Sequence, residues 1–362
     1  MIRKDIVELR LASGPVPHYK EMVALAAPIL EILVNEYGTF ELIKRFSDAL
    51  WFQSFACLLG FEWNYSGMTT VTMKAVKEAL QKTNLPIKVV GGKGKEALNT
   101  PEEIKKLGLS NEEELIRASI LSSKADNVEL QDGYDLYFHC MIIDEKGNYS
   151  IINQKMSIET QKVRRFHWIV NTKIFEEEPH NEIVGIKENI ALNLFSKDSK
   201  ETRKAIVDIV KDYSPTKIER TLILLNRKQN QKLLTDFLKL EGIEIVKLPY
   251  HFKIPTKVNL KALEIAKNAE KFEDLLAIKG IGKDTIRGLA YIANIIFGTR
   301  ISWKDPIKFT YAHGTKAGKP YYVDKERMLK EAEILRQAIE EAKIGNREKI
   351  LALRRLAKIV EI

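Results

Sequence analysis

The sequence predicts an α+β fold, in which a mixed α/β amino-terminal part built around a β-hairpin precedes a helical carboxy-terminal domain. Three observations predict it. Apolar residues recur at helical spacing up to Lys82, the period shortens to two between Tyr134 and Met156, and beyond Asn259 the helical period returns. Pro215 and the segment Lys247-Leu-Pro-Tyr-His-Phe-Lys-Ile-Pro255 interrupt the pattern, so the two parts are expected to divide into residues 1–255 and 256–362.

In chain order, residues 20–37 read as a helix that Tyr37-Gly38-Thr39 stops before a second one from Thr39 to Ser47. Ala49 to Gly60 is apolar nearly all round and belongs in a core. Ser66-Gly-Met-Thr-Thr70 opens a helix that ends near Lys82, and Pro86-Ile-Lys-Val-Val90 reads as a short buried strand leading into Gly91-Gly-Lys-Gly-Lys95. Thr100-Pro-Glu-Glu starts a polar helix pair, with proline where a missing N–H costs nothing. Tyr134–Asp144 and Tyr149–Met156 alternate as the arms of a hairpin around Glu145-Lys-Gly-Asn148. Helices are expected again over Ile158–Val170 and Lys200–Tyr213.

Composition narrows the function. The 362 residues carry 58 Lys plus Arg against 49 Asp plus Glu, a formal charge of +9 that favours an anionic partner. Cys57 and Cys140 lack metal-ligand spacing, which argues against a disulfide framework and a cysteine zinc site. The first residues, MIRKDIVELRLASGP, lack a signal-peptide core, and no apolar window reaches about 18 residues, so a cytoplasmic protein is expected.

Lys271 to Asn294 resembles the helix-hairpin-helix pattern of DNA repair and recombination proteins. Gly280 and Gly282 allow a tight turn and let bare backbone approach a phosphate oxygen, while Ile281 points inward to pin the helices. The second helix starts near Lys283, so its unpaired N–H groups and positive dipole end face the same anion. Lys279 and Lys283 add charge, and the Thr285 hydroxyl can donate or cap. DNA, held mainly through its phosphate backbone and without base readout, is therefore the expected partner. Asp305 follows the turn at a spacing similar to that of the catalytic aspartate in base-excision glycosylases, which makes glycosylase activity one alternative.

The chain as a whole resembles the archaeal and bacterial family known as domain of unknown function 763. The resemblance lies in Glu36-Tyr-Gly-Thr39, Trp51-Phe-Gln53, Gly60-Phe-Glu-Trp-Asn-Tyr-Ser-Gly67, Gly91-Gly-Lys-Gly-Lys95, Ser123-Lys-Ala-Asp-Asn127, Gln131-Asp-Gly-Tyr134, Arg164-Arg-Phe-His-Trp168, Glu178-Pro-His180, Ala312-His-Gly314 and Tyr322-Val-Asp324. Glu62, Asn64 and Phe138 stand where that pattern usually has Asp, His and the first of a His pair.

Chemistry is expected between residues 91 and 180. Strand alternation places Asp135, Tyr137 and His139 on one face, and the returning strand can bring Lys155 beside them. A carboxylate at a strand start with polar-X-Lys on the neighbouring strand resembles restriction-like nucleases, where carboxylates hold Mg²⁺ or Mn²⁺ and the lysine polarises the attacking water. Asp132 is the expected second ligand, and Lys124, Arg164 and Arg165 can close around the same site. Lys93 and Lys95, with Gly91, Gly92 and Gly94, can cradle a phosphate. The expectation is a DNA-binding, metal-dependent nuclease acting in repair, with a non-catalytic binder of DNA structure as the other alternative.

Overall fold

A computed structural model describes residues 16, 18–60, 66–226, 250–307, 315–316, 319–320, 325–342 and 345–360. The chain begins with α1 (Tyr19–Phe46), which breaks at Gly38, where φ of 81° and ψ of 166° leave the helical region. The two expected helices are thus the halves of one kinked element. Length and composition alone would let α1 cross a bilayer, but Met22, Leu25, Ile29, Leu33, Leu42 and Ile43 are buried against other elements, which makes it a core helix. The side chain of Asp48 accepts from the N–H groups of Leu50 and Trp51 at 2.9 and 3.0 Å and so starts α2 (Ala49–Leu58). Next come α3 (Gly67–Gln81), β1 (Ile87–Lys93), the short α4 (Lys95–Leu98) and α5 (Thr100–Lys105), and α6 (Glu112–Lys124).

A π-helical turn, Ala125–Glu129, delivers the chain to β2 (Leu130–Gln131). The expected hairpin follows as β3 (Asp135–Asp144) and β4 (Tyr149–Ser157), and β5 (Lys162–Trp168), β6 (His180–Val184) and β7 (Leu192–Asn193) continue. Five of these strands form one antiparallel sheet in the order β1-β3-β4-β5-β6. The helix expected over Ile158–Val170 is instead a turn and β5. Gln161, at φ of 57°, helps reverse the chain, and the run Val163-Arg-Arg-Phe-His-Trp168 is buried on both faces, so it lacks the alternation that marks a strand.

Helices cover both faces of the sheet. On one face Phe138, Cys140, Ile142 and Ile152 meet α1, α2 and α3, together with Leu335 and Ile339 of α12 (Lys325–Glu341) and Leu356 of α13 (Asn346–Val360). On the other, Met141, Ile143, Ile151, Phe166 and Trp168 meet α6 and the later helices: α7 (Lys200–Asp212), α8 (Pro215–Leu225), α9 (Leu260–Ala266), α10 (Phe272–Ala277) and α11 (Lys283–Phe297). Burying the apolar surface on both faces favours this arrangement at roughly 25 cal/mol per Å². The expected division at residue 255 is not visible in the packing. One core runs from Val90 through Ile254 and Ala262 to Ile307, whereas α12 and α13 join the opposite core, so the described residues of 256–362 are shared between two cores.

The sheet edge at β1 is closed by side chains. Gly91 donates its N–H to Glu103 at 3.2 Å and accepts from Lys77 at 2.9 Å, and the two side chains are paired at 2.7 Å.

Candidate functional site

The best exposed cationic feature is the turn between α10 and α11. Ile281 is fully buried and locks the two helices together. Gly280 adopts φ of +96°, and a Cβ there would lie 2.6 Å from the Asn259 side chain, so glycine is required by both conformation and space. Gly282 differs: it is extended at φ of −128°, precedes α11 without a side-chain cap, and has nothing within 4 Å of where a Cβ would stand. The unpaired N–H groups of the first turn of α11 start there. Lys279 and Gly280 are exposed and Lys283 is half-exposed, whereas the Thr285 side chain is buried. Thr285 is therefore corrected from a phosphate contact to a packing residue.

Three side-chain contacts fix this turn to the residues before β3. Lys124 donates to the Ile281 carbonyl, Gln131 donates to the Lys283 carbonyl at 2.9 Å, and the Lys283 ammonium reaches the Tyr134 carbonyl at 3.0 Å while pairing with Asp135. Lys124 is thus a docking residue. Its burial lowers its pKa below the ordinary lysine value. Beside the turn lies a cleft of about 590 Å³, whose cationic lining is Lys253, Lys257, Lys283 and Arg287. Sequence reading missed Lys253, Lys257 and Arg287. Lys253 lies in the Pro-broken segment expected to mark the domain boundary, and Lys257 lies just beyond it.

The expected catalytic constellation does not assemble. Asp135 pairs with Met156 across the hairpin, Leu136 pairs with Lys155, and a bulge falls between Leu136 and Phe138. The extra residue reverses the alternation, so His139 shares the face of Lys155 and not that of Asp135. Asp135 is 77% exposed, whereas Lys155 and Asp132 are fully buried and paired at 2.7 Å. The two aspartates expected to hold Mg²⁺ therefore do not converge, and no group of three His, Cys, Asp or Glu side chains suited to a metal occurs among the described residues.

Lys155 and Asp132 belong to a buried charge network. Arg164 binds Asp132 at 2.6 Å and also pairs with Asp305, which accepts from the Glu188 N–H at 2.6 Å. Burial pushes Lys155 down to about 8 against the pull of Asp132. Burial acts to raise Asp132, but Lys155 and Arg164 outweigh it and its pKa falls below the ordinary value. Arg164 and Arg165 are both inaccessible. Arg165 instead donates to Gln53 at 3.1 Å on the other face, so neither arginine can touch DNA as expected. Asp305 is likewise spent on Arg164, which removes the glycosylase alternative's nucleophile-like aspartate from solvent.

A second buried chain runs Ser119, His139, Asn153, Asp126 and His180. The His139 ring lies 2.7 Å from Ser119 and 2.6 Å from Asn153, Asn153 donates to Asp126 at 2.6 Å, and Asp126 also accepts from Trp168 at 3.0 Å and pairs with His180. Burial lowers the pKa of His139, favouring the neutral ring. Neither this chain nor the charge network opens to solvent, and both act as polar pins inside apolar cores.

The glycine-rich segment is also reassigned. Gly91, Gly92 and Lys93 continue β1, and the N–H groups of Gly91 and Gly94 go to Glu103 and to the Tyr137 carbonyl at 3.2 and 2.9 Å, so these two of the donors expected to cradle a phosphate are engaged. Lys93 lies exposed, 5.9 Å from the Tyr137 ring centre, and Lys95 is exposed at the start of α4. Phe138 sits in the core. Glu62, Asn64, Trp63 and the segments Ala312-His-Gly314 and Tyr322-Val-Asp324 lie outside the described residues.

A family model matches residues 5–323 of the chain. No curated protein and no solved structure matches it.

Proposed function

The chain belongs to that family, described as a protein of unknown function (DUF763), and from this premise we propose that it binds DNA through the phosphate backbone, using the turn Lys279–Lys283 as a helix-hairpin-helix. The observation that carries the reading is the pairing of a fully buried Ile281 with an open Gly282 at the start of a 15-residue helix, flanked by Lys279 and Lys283. Ile281 holds the backbone in place. Gly282 leaves room for a phosphate oxygen to approach the first-turn N–H groups. Such contacts orient the protein on DNA without reading sequence.

Metal-dependent cleavage at Asp135, His139 and Lys155 is not part of the proposal, because the exposed Asp135 lies on the opposite face from the buried His139 and Lys155. What is proposed is DNA binding, which the nuclease reading and its non-catalytic alternative share.

Duplex affinity measured as a function of salt tests it. Lys283→Ala should reduce the magnitude of the slope of log K against log salt by about 0.9, the change for one phosphate contact. Gly282→Ala should weaken binding about tenfold on every sequence, while unfolding at the same denaturant concentration as the parent, since its Cβ meets nothing in the protein. Wild-type protein that fails to bind duplex, or variants that leave affinity and slope untouched, would overturn the proposal.

A further inference from the structure

We infer that the cleft beside the turn receives a single strand, so that the preferred DNA is a duplex with a single-stranded tail. The inference rests on the turn being a phosphate-binding surface, and it extends that surface. Lys283 belongs to both places: it stands at the start of α11 and lines the cleft. From it, the exposed Lys253 and Lys257 continue the cationic surface away from the turn, while the buried Arg287 is held by Gln131, Asp284 and the Lys253 carbonyl.

The cleft holds about 590 Å³, a volume in the range that encloses a ligand of one or two nucleotides and too small for a double helix. Its wall is suited to a base as well as a phosphate. The half-buried His251 ring lines the cleft together with the exposed Thr256, while Ile254 and Pro255 form its buried floor. Burial lowers the pKa of His251, leaving a neutral, flat group available for stacking and hydrogen bonding.

The acidic members of the lining do not oppose this assignment. Asp135 and Asp284 are 77% and 66% exposed, and each is paired with one of the cations, Asp135 with Lys283 and Asp284 with Arg287. A carboxylate at the surface is a weak counterion that a phosphate can replace, since exposed ion pairs are worth about 1 kcal/mol or less. Lys283 is thus held in place before the nucleic acid arrives, and it exchanges one anionic partner for another.

The test compares a blunt DNA duplex with the same duplex extended by a tail of a few nucleotides, at either the 3′ or the 5′ end. The full-length protein should bind one tailed form about tenfold tighter than the blunt one. Lys253→Ala with Lys257→Ala, both at exposed positions, should abolish that preference and leave blunt-duplex affinity within about twofold. Gly282→Ala should weaken both substrates alike. Blunt-duplex binding with no gain from either tail would overturn the inference while leaving the turn's role intact, and absence of duplex binding would overturn the role of the turn itself. A preference that survives the double substitution would remove the cleft from the account. An RNA tail bound more tightly than the DNA tail would overturn the assignment to DNA.

Discussion

Two regions of this molecule are rich in charge, and they use it in opposite ways. Around β4 and β5, Asp132, Lys155, Arg164 and Asp305 are fully buried and neutralise one another. At the turn before α11, Lys279, Gly280 and Lys283 reach solvent, and the backbone ahead of the helix carries no cap. The difference teaches that residue type alone does not identify a site. A charge with a complete set of internal partners contributes to shape, and a charge whose ionic partner is an exposed carboxylate can change partners.

The sharpest way to break this contrast is Arg164→Met. It leaves Asp305 without its guanidinium and Asp132 with Lys155 alone, and breaking a buried pair in this way costs about 3–5 kcal/mol. Denaturant unfolding should show that loss, and the DNA affinity of the folded fraction should not change. A stable variant with weakened binding would move Arg164 back to the DNA interface.

The two glycines of the turn give the next largest effect. Gly280→Ala must place a Cβ 2.6 Å from Asn259 at a φ of +96°, so thermal unfolding should report about 1–3 kcal/mol of destabilisation. Gly282→Ala should leave stability within about 0.5 kcal/mol. Equal destabilisation by both would show that the turn needs both glycines for its own conformation.

The pH dependence of stability separates buried acids from buried bases. Glu129 is fully buried, neither of its carboxylate oxygens has a hydrogen-bond partner among the described residues, and burial holds its pKa well above the ordinary 4.5. The folded chain therefore keeps a proton that the unfolded chain releases, and stability falls as pH rises from 4.5 towards the folded value. Glu129→Gln should flatten that slope. His139 and His167 act in the opposite sense: burial holds both below 6.5, the unfolded chain takes up protons first, and stability falls as pH drops beneath that value. A Glu129→Gln variant with the parent's pH profile would exclude the buried carboxyl as the cause.

The smallest expected effect is at the surface. Asp135→Asn frees Lys283 from its carboxylate and should raise duplex affinity about twofold to fivefold, the range of an exposed pair. Unchanged affinity would mean that the pair does not compete with phosphate.

Much of this was legible in the sequence where one periodicity acts alone. The break at Gly38, the all-round apolar α2, the β3–β4 hairpin and the buried Ile281 between two glycines follow from local spacing and turn chemistry. What was not legible depends on partners distant in the chain. β5 reads as a helix because both of its faces are covered: Arg165 and His167 meet Gln53, Thr69 and Phe46 on one, and Phe166 and Trp168 enter the apolar core on the other. The bulge after Leu136 cannot be seen in alternating residue types, yet it decides which side chains share a face. Arg164 meets an aspartate 141 residues away, a separation that no local pattern encodes. Lys253 and Lys257 sit in an irregular stretch whose value lies in where it is held, beside α11.

The clasp on Gly91 bears on what this sheet can recruit. An edge strand with open amide and carbonyl groups is a template on which another chain can add itself, whether as a ligand peptide or as the first step of aggregation. Here one carboxylate and one ammonium already fill both groups of that residue, and the ion pair between them seals the gap. The sheet is closed to growth at that residue, so a chain adding itself along β1 would meet a sealed position in place of an open amide and carbonyl.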